Sequence, residues 1–171
     1  MSLHGGIMQK ITDYLSKYTS LFIILIFCFA LSCVMMIAMH NANGGTLMQY
    51  FMAYFFIFLS LFKFLDINGF VKAFAAYDLL AQKFRFYGHC YPFIEFGLGI
   101  SYLCAFLPLF VNIVTFTVMT ISGIGVVKSL LSGQKIKCAC LGSALNIPLG
   151  AISAIENFGM GFLAACNIIF L

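Results

Sequence analysis

Residues 21–39 read LFIILIFCFALSCVMMIAM, an apolar run without a charge, close to the roughly 20 residues an α-helix needs to cross the hydrocarbon of a bilayer. In lipid a backbone must satisfy its own polar groups, which a helix does and an open strand does not. The run therefore predicts a transmembrane helix, over 20–40 with its flanks, and it decides the fold class: all-α, an integral membrane helical bundle. His40, Asn41, Asn43, Gly44 and Gly45 close the helix in a short polar turn. The segment 1–19 is polar or mildly amphipathic, and the small residues of 37–42 come only after a full span. A retained first helix is expected, not a cleaved signal peptide.

Working outward, residues 47–65 form a second span crowded with Phe and Tyr, which pairs with the first as a helical hairpin. Charges then interrupt the chain. Phe70, Val71, Phe74, Tyr77, Leu80, Ala81 and Phe84 recur at three and four positions, with Lys72, Lys83 and Arg85 off that stripe. This spacing predicts an amphipathic interfacial helix over 68–86, between the second and third spans, lying on the membrane surface or capping the bundle. The stretch 92–131 is too long for one crossing at ~1.5 Å per residue, and Pro108 divides it into a third span over 92–107 and a fourth over 109–131. Pro148 suits the first turn of a last span over 149–170. The expectation is four to five transmembrane helices in a single membrane domain covering 1–171.

Composition agrees with this architecture. Hydrophobic residues make up 63% of the 171 and charged ones only 8%, against roughly 25% charged in a soluble domain. Such a chain cannot clothe a water-facing surface, so its partner is the lipid bilayer. It has no long basic patch for nucleic acid, no Gly-rich phosphate loop and no zinc-protease His pair. With five spans, Lys10 and Lys17, then Lys63, Lys72, Lys83 and Arg85, then Lys128, Lys135 and Lys137 all fall on one side. The positive-inside rule then makes 1–19 and the loop 132–148 cytoplasmic, in a multi-pass protein of a bacterial cytoplasmic (inner) membrane.

The loop carries KIKCACLG, in which Cys138 and Cys140 stand beside Lys135 and Lys137. Two sulfurs so close together can exchange electrons or hold a soft metal, and neighbouring positive charge favours thiolate. The structural alternative is two small residues in a tight turn at the membrane edge. Cys90, preceded by His89, lies on the same side and would resolve a mixed disulfide or add a third sulfur for Cu, Hg or Zn. Its structural alternative is a small residue at a helix start beside Pro92. Cys28, Cys33, Cys104 and Cys166 read as apolar filler. Glu95 and Glu156 fall inside spans, where a carboxylate is costly unless paired, protonated or wet. They would move protons for thiol chemistry, hold a cation, or fasten the bundle through Lys63, Lys128 or the Tyr77-Asp78 pair. The residues leave three roles open: thiol–disulfide redox chemistry, soft-metal transport, and a non-catalytic assembly or anchoring subunit. Neither a quinone nor a soft metal ion is singled out as cofactor.

FVKAFAAYDLLAQKFRFYGHCYPFIEFGLGISY, followed by KCACLG, NIPLG and AIENFGM, resembles the methylamine utilisation protein MauE family within the wider MauE/DoxX group of redox-associated membrane proteins. The resemblance spans 47–160 and rests on Tyr77-Asp78, Tyr91-Pro92, Glu95, Leu98-Gly99 and the segment 138–142. It implies membrane thiol or metal handling with a thioredoxin-like, glutaredoxin-like or heavy-metal-binding partner. In the member encoded with methylamine dehydrogenase genes, it implies disulfide formation in that enzyme.

Overall fold

The computed structural model describes residues 3–40, 43–132 and 151–169, with side chains from Thr19 onward. Six helices follow in order: α1 (Leu3–Ala38), α2 (Gly44–Leu65), α3 (Ile67–Phe74), α4 (Arg85–Leu103), α5 (Pro108–Leu131) and α6 (Ala151–Ile169). Among the described residues there is no strand. Length and composition allow four of them to cross a membrane: Thr19–Ala38 of α1, and all of α2, α5 and α6. The chain is a multi-pass membrane protein.

Local chemistry sets the helix ends. Asn43 opens α2 by accepting a bond from the Gly45 N–H at 3.2 Å, and Asp66 opens α3 by accepting from the Gly69 N–H at 2.9 Å. Pro108 begins α5, where its missing N–H leaves no bond unmade. The turn before it is tight, with Ala105 at φ 51° and Leu107 at φ 45° in the left-handed region.

The surface helix expected over 68–86 is helical only for its first part, Ile67–Phe74. Asp78 ends the regularity. Its Oδ1 accepts the N–H groups of Leu80 and Ala81 at 3.0 and 2.9 Å, a local arrangement that competes with the helix ladder. The apolar stripe is still used: Phe70, Val71, Phe74, Tyr77 and Ala81 are all buried. The helix expected from residue 92 starts instead at Arg85, so that Pro92 sits about two turns inside α4.

α4 runs antiparallel to α2, from Phe93 against Phe64 at one end to Tyr102 beside Gln49 at the other. Its 19 residues span about 28 Å, but Arg85, His89 and Glu95 leave it less apolar than the four spanning helices. Gly99 makes the pairing possible. A Cβ there would lie 2.8 Å from Ile57 and 3.0 Å from the Ala53 carbonyl oxygen, and small residues are what let membrane helices approach closely. α5 and α6 form the second close pair, with the Phe158 ring against Gly123. α1 is different: among the described residues it packs on α2 alone, and Ile23, Ile26 and Ile37 are exposed, as lipid-facing residues are.

Candidate functional site

α2, α3 and the loop after it, α4, α5 and α6 surround a small cavity toward the end of the bundle where Lys72, Lys83, Arg85 and Lys128 lie exposed. We call this the basic end. Lys63 belongs to the last turn of α2, yet its side chain turns into the protein and is only 4% exposed. Its Nζ donates to Oε2 of Glu95 on α4, in a buried ion pair. The ammonium also lies 5.4 Å from the centre of the Phe70 ring and 5.0 Å from that of Tyr91, where the ring faces supply further attraction to a cation. Phe74 completes the cage, 4.4 Å from Tyr91 and 5.0 Å from Phe70, centre to centre.

Glu156 of α6 meets the same cavity from the opposite wall. Both of its carboxylate oxygens are buried, and neither has a hydrogen-bond partner. The cavity, about 20 Å³, holds on the order of one water. Among the described residues its lining carries one cation, Lys63, and two carboxylates, Glu95 and Glu156. The ion pair neutralises one carboxylate. The other must hold a proton or meet a donor from outside, because an isolated buried charge is expensive. The arrangement leaves Glu156 able to hold a proton or to accept a hydrogen-bonding partner.

Sequence reasoning offered Glu95 and Glu156 three partners. Lys63 takes Glu95. Lys128 is exposed on the surface. Asp78 gives its Oδ1 to its own loop while its buried Oδ2 has no hydrogen-bond partner; burial raises its carboxyl above the usual range, partly offset by the Ala81 and Leu80 N–H groups and the nearby Ser122 hydroxyl. Tyr77 lines the cavity, and its carbonyl oxygen lies so near α5 that a Cβ on Gly125 would stand 2.6 Å from it. The aromatic cage was missed. Its one signal was Lys63 itself, flanked directly by Phe62 and Phe64 where a boundary lysine would have polar neighbours.

No two cysteines among the described residues are joined in a disulfide. Cys90 is half-buried in the first two turns of α4, Cys28 is buried in α1, Cys33 and Cys166 are half-buried, and Cys104 is exposed at the end of α4; all five are unpaired. His89 is exposed, and its Nδ1 bonds the Arg85 carbonyl at 3.1 Å. Cys138 and Cys140 lie outside the described residues. Among those described, no cluster of three or more His, Cys, Asp or Glu side chains is arranged to hold a metal.

At the far end of the bundle a second buried polar group forms. The Tyr102 hydroxyl donates to Asn112 Oδ1 at 2.7 Å, and Gln49 Nε2 donates to the Tyr102 carbonyl at 2.7 Å. Asn167 of α6 lines the same spot. No charge takes part.

No curated protein and no solved structure matches the chain. The model of the family described as methylamine utilisation protein MauE matches residues 41–170. That range runs from the turn before α2 through α6, and takes in the whole cavity and the Cys138-Ala139-Cys140 segment. By this match over most of its length, the chain belongs to the MauE family.

Proposed function

We propose that this protein supports thiol–disulfide exchange at the membrane with a thioredoxin- or glutaredoxin-like partner. Its family gives it a general redox-associated membrane role. The observation that carries the narrower reading is the Cys138-Ala139-Cys140 pair beside Lys135 and Lys137, inside the matched range. Lysine ammonium groups next to a thiol favour its thiolate, the form that attacks a disulfide.

In this reading the Cys138 thiolate attacks a partner disulfide, forming a mixed disulfide and releasing one partner thiolate. Cys140 or Cys90 then attacks the Cys138 sulfur, closing a disulfide in this chain and releasing the second partner thiolate. Two electrons pass to the partner, and the two protons lost by this chain's thiols are taken up by the partner's. Run in reverse, the same steps make a partner disulfide. Glu95 and Glu156 support the reading as buried carboxylates that hold or pass a proton near the basic end. The basic end is cytoplasmic by the positive-inside rule, with the N-terminus on that side, in a bacterial inner membrane.

Mass-spectrometric thiol trapping of the membrane-embedded protein across redox buffers tests this, with and without Cu(I), Hg(II) or Zn(II). A disulfide joining Cys138 to Cys140 or Cys90 at a defined potential is the expected result. Thiols that stay reduced and become protected only by metal would replace the reading with metal handling. Indifference to both would leave an assembly role.

A further inference from the structure

Tyr87, Tyr91 and Glu95 stand four residues apart on α4 and so share one face of that helix. Tyr87, in the first turn at the basic end, is half-buried. One turn further in, Tyr91 is buried, its ring centre 5.8 Å from that of Tyr87. The Tyr91 hydroxyl is hydrogen-bonded to the Glu95 carboxylate, which also takes the Lys63 ammonium. Beyond that pair lies the cavity, with room for about one water, and on its opposite wall Glu156 with its two unpartnered oxygens. Hydroxyl, carboxylate, ammonium and carboxylate thus follow one another from the surface into the bundle.

Toward the far end the series stops. Phe55, Phe56, Met119 and Met160, all buried, close the cavity there, and the Phe56 ring stacks on Tyr102, 6.2 Å centre to centre. Sideways, α1 and α6 do not touch one another among the described residues. The cleft of about 540 Å³ between them has no polar side chain in its lining except Glu156 itself, with Leu25, Phe51 and Phe162 among its walls.

We propose that Glu156 is the inner end of a one-sided proton inlet, filled from the basic end through Tyr87, Tyr91 and the Lys63–Glu95 pair and closed toward the far end and the lipid.

One proton balances the site. Its lining carries one cation and two carboxylates among the described residues, and a single proton makes it neutral, as a membrane interior favours. The titratable groups that face Glu156 are Lys63 from α2, Glu95 and Tyr91 from α4, and Tyr77 from the loop after α3. α5 offers Ser122 and Met119, which do not titrate, and α1 only apolar residues. Asp78 stands within electrostatic reach of both α4 tyrosines. The transfer moves no electrons. A proton from water at the basic end enters at Tyr87, and each hydroxyl accepts one on its lone pair as it passes its own inward. Glu95 takes the last of these beside Lys63, and water in the cavity delivers a proton to Glu156. The net change is one new O–H bond on Glu156 and one proton lost from the basic-end water. No cysteine takes part, so the inlet stands apart from the thiol reading.

The test is infrared difference spectroscopy of the full chain in phosphatidylcholine liposomes, with orientation scored by amine labelling of the basic-end lysines and pH set separately on each side. The carbonyl stretch that Glu156→Gln removes is expected to follow pH on the basic-end side alone. After a pH jump on that side, Tyr91→Phe, which keeps the ring packed on Phe70 and Phe74, is expected to slow the response about tenfold, a rise of ~1.4 kcal/mol in barrier. If Tyr91→Phe fails to fold, Tyr87→Phe at the half-buried outer position gives the same reading. A carboxyl that answers to far-side pH, an unchanged rate in the tyrosine variant, or an equal slowing by Tyr102→Phe at the far end would each overturn the proposal. So would a Glu156 that keeps one protonation state at every pH, or that changes only with added sodium ion. Thiol trapping on the same samples separates the two readings. A redox-active Cys138–Cys140 pair beside an unresponsive Glu156 sinks the inlet alone, whereas the expected carboxyl response with thiols that never pair sinks the thiol reading alone.

Discussion

The bundle buries polar side chains at both ends, and the two groups are made on opposite principles. At the far end, Gln49, Tyr102 and Asn112 are neutral and join α2, α4 and α5 through hydrogen bonds. At the basic end, Lys63, Glu95 and Glu156 are ionisable, join α2, α4 and α6, and leave Glu156 without a bond. Neutral groups bonded to each other fasten helices at less cost than charges do, even with Asn112 Nδ2 left without a hydrogen-bond partner. A charged group with one member unsatisfied is a poor fastener, since a buried ion pair seldom stabilises more than well-packed apolar residues would. The difference sets a hydrogen-bonded fastening at the far end against a group at the basic end that stability alone does not explain.

Lys63→Met should show the largest effect. It strands Glu95 as an unpaired buried carboxylate, and losing one member of a buried pair costs about 3–5 kcal/mol. A large fall in melting temperature in detergent is expected. A variant as stable as the parent would mean that Glu95 finds another donor, and that the pair is not the centre of the basic end.

Replacing both members, Lys63→Met with Glu95→Leu, should recover most of that loss, because the double apolar replacement of a buried pair is often neutral or better. Stability and function should then part company: the double variant folds, but its thiol-trapping midpoint or its exchange rate with a thioredoxin-like protein changes. Full recovery of both would make the pair a structural device and erase the contrast between the two ends.

The far end should respond more mildly. Tyr102→Phe removes the hydroxyl that donates to Asn112 and leaves a buried acceptor unmet, which costs roughly 1–2 kcal/mol. Thermal unfolding should record that loss with exchange activity unchanged. Loss of activity without loss of stability would move function to the wrong end of the molecule.

Much of this was legible in the sequence, and the limits have physical causes. The first span is visible as an uninterrupted apolar run, and the second, fourth and last as apolar runs broken by only a few polar residues, because lipid demands them. Glu95 and Glu156 stand out for the same reason. α4 is harder to delimit: Pro92 looks like a helix start, and nothing in composition shows that the chain is already helical from Arg85. The break at Asp78 depends on a carboxylate turning back to its own backbone, while the apolar spacing continues unaltered through it. The choice of Lys63 over Lys128 as partner for Glu95 is a matter of which helix lies beside which. Periodicity within one segment does not carry that information. The cleft is least legible of all, since it exists only because α1 and α6 leave one another alone.

The smallest expected effect is the sharpest test of the comparison. Glu156→Gln keeps the shape of the side chain and removes an ionisable group whose buried oxygens have no hydrogen-bond partner. If the basic end were a fastener, this change would cost as much as Lys63→Met. If Glu156 is instead held ready for a proton or a ligand, the substitution should leave stability within about 0.5 kcal/mol of the parent, as for positions outside the packing and bonding network, or raise it. Strain stored at a working site is commonly relieved when the group that does the work is neutralised. Unfolding of the two variants side by side decides the matter. A small or favourable change for Glu156→Gln beside a large loss for Lys63→Met identifies Glu156 as the member of the group whose burial is repaid by binding.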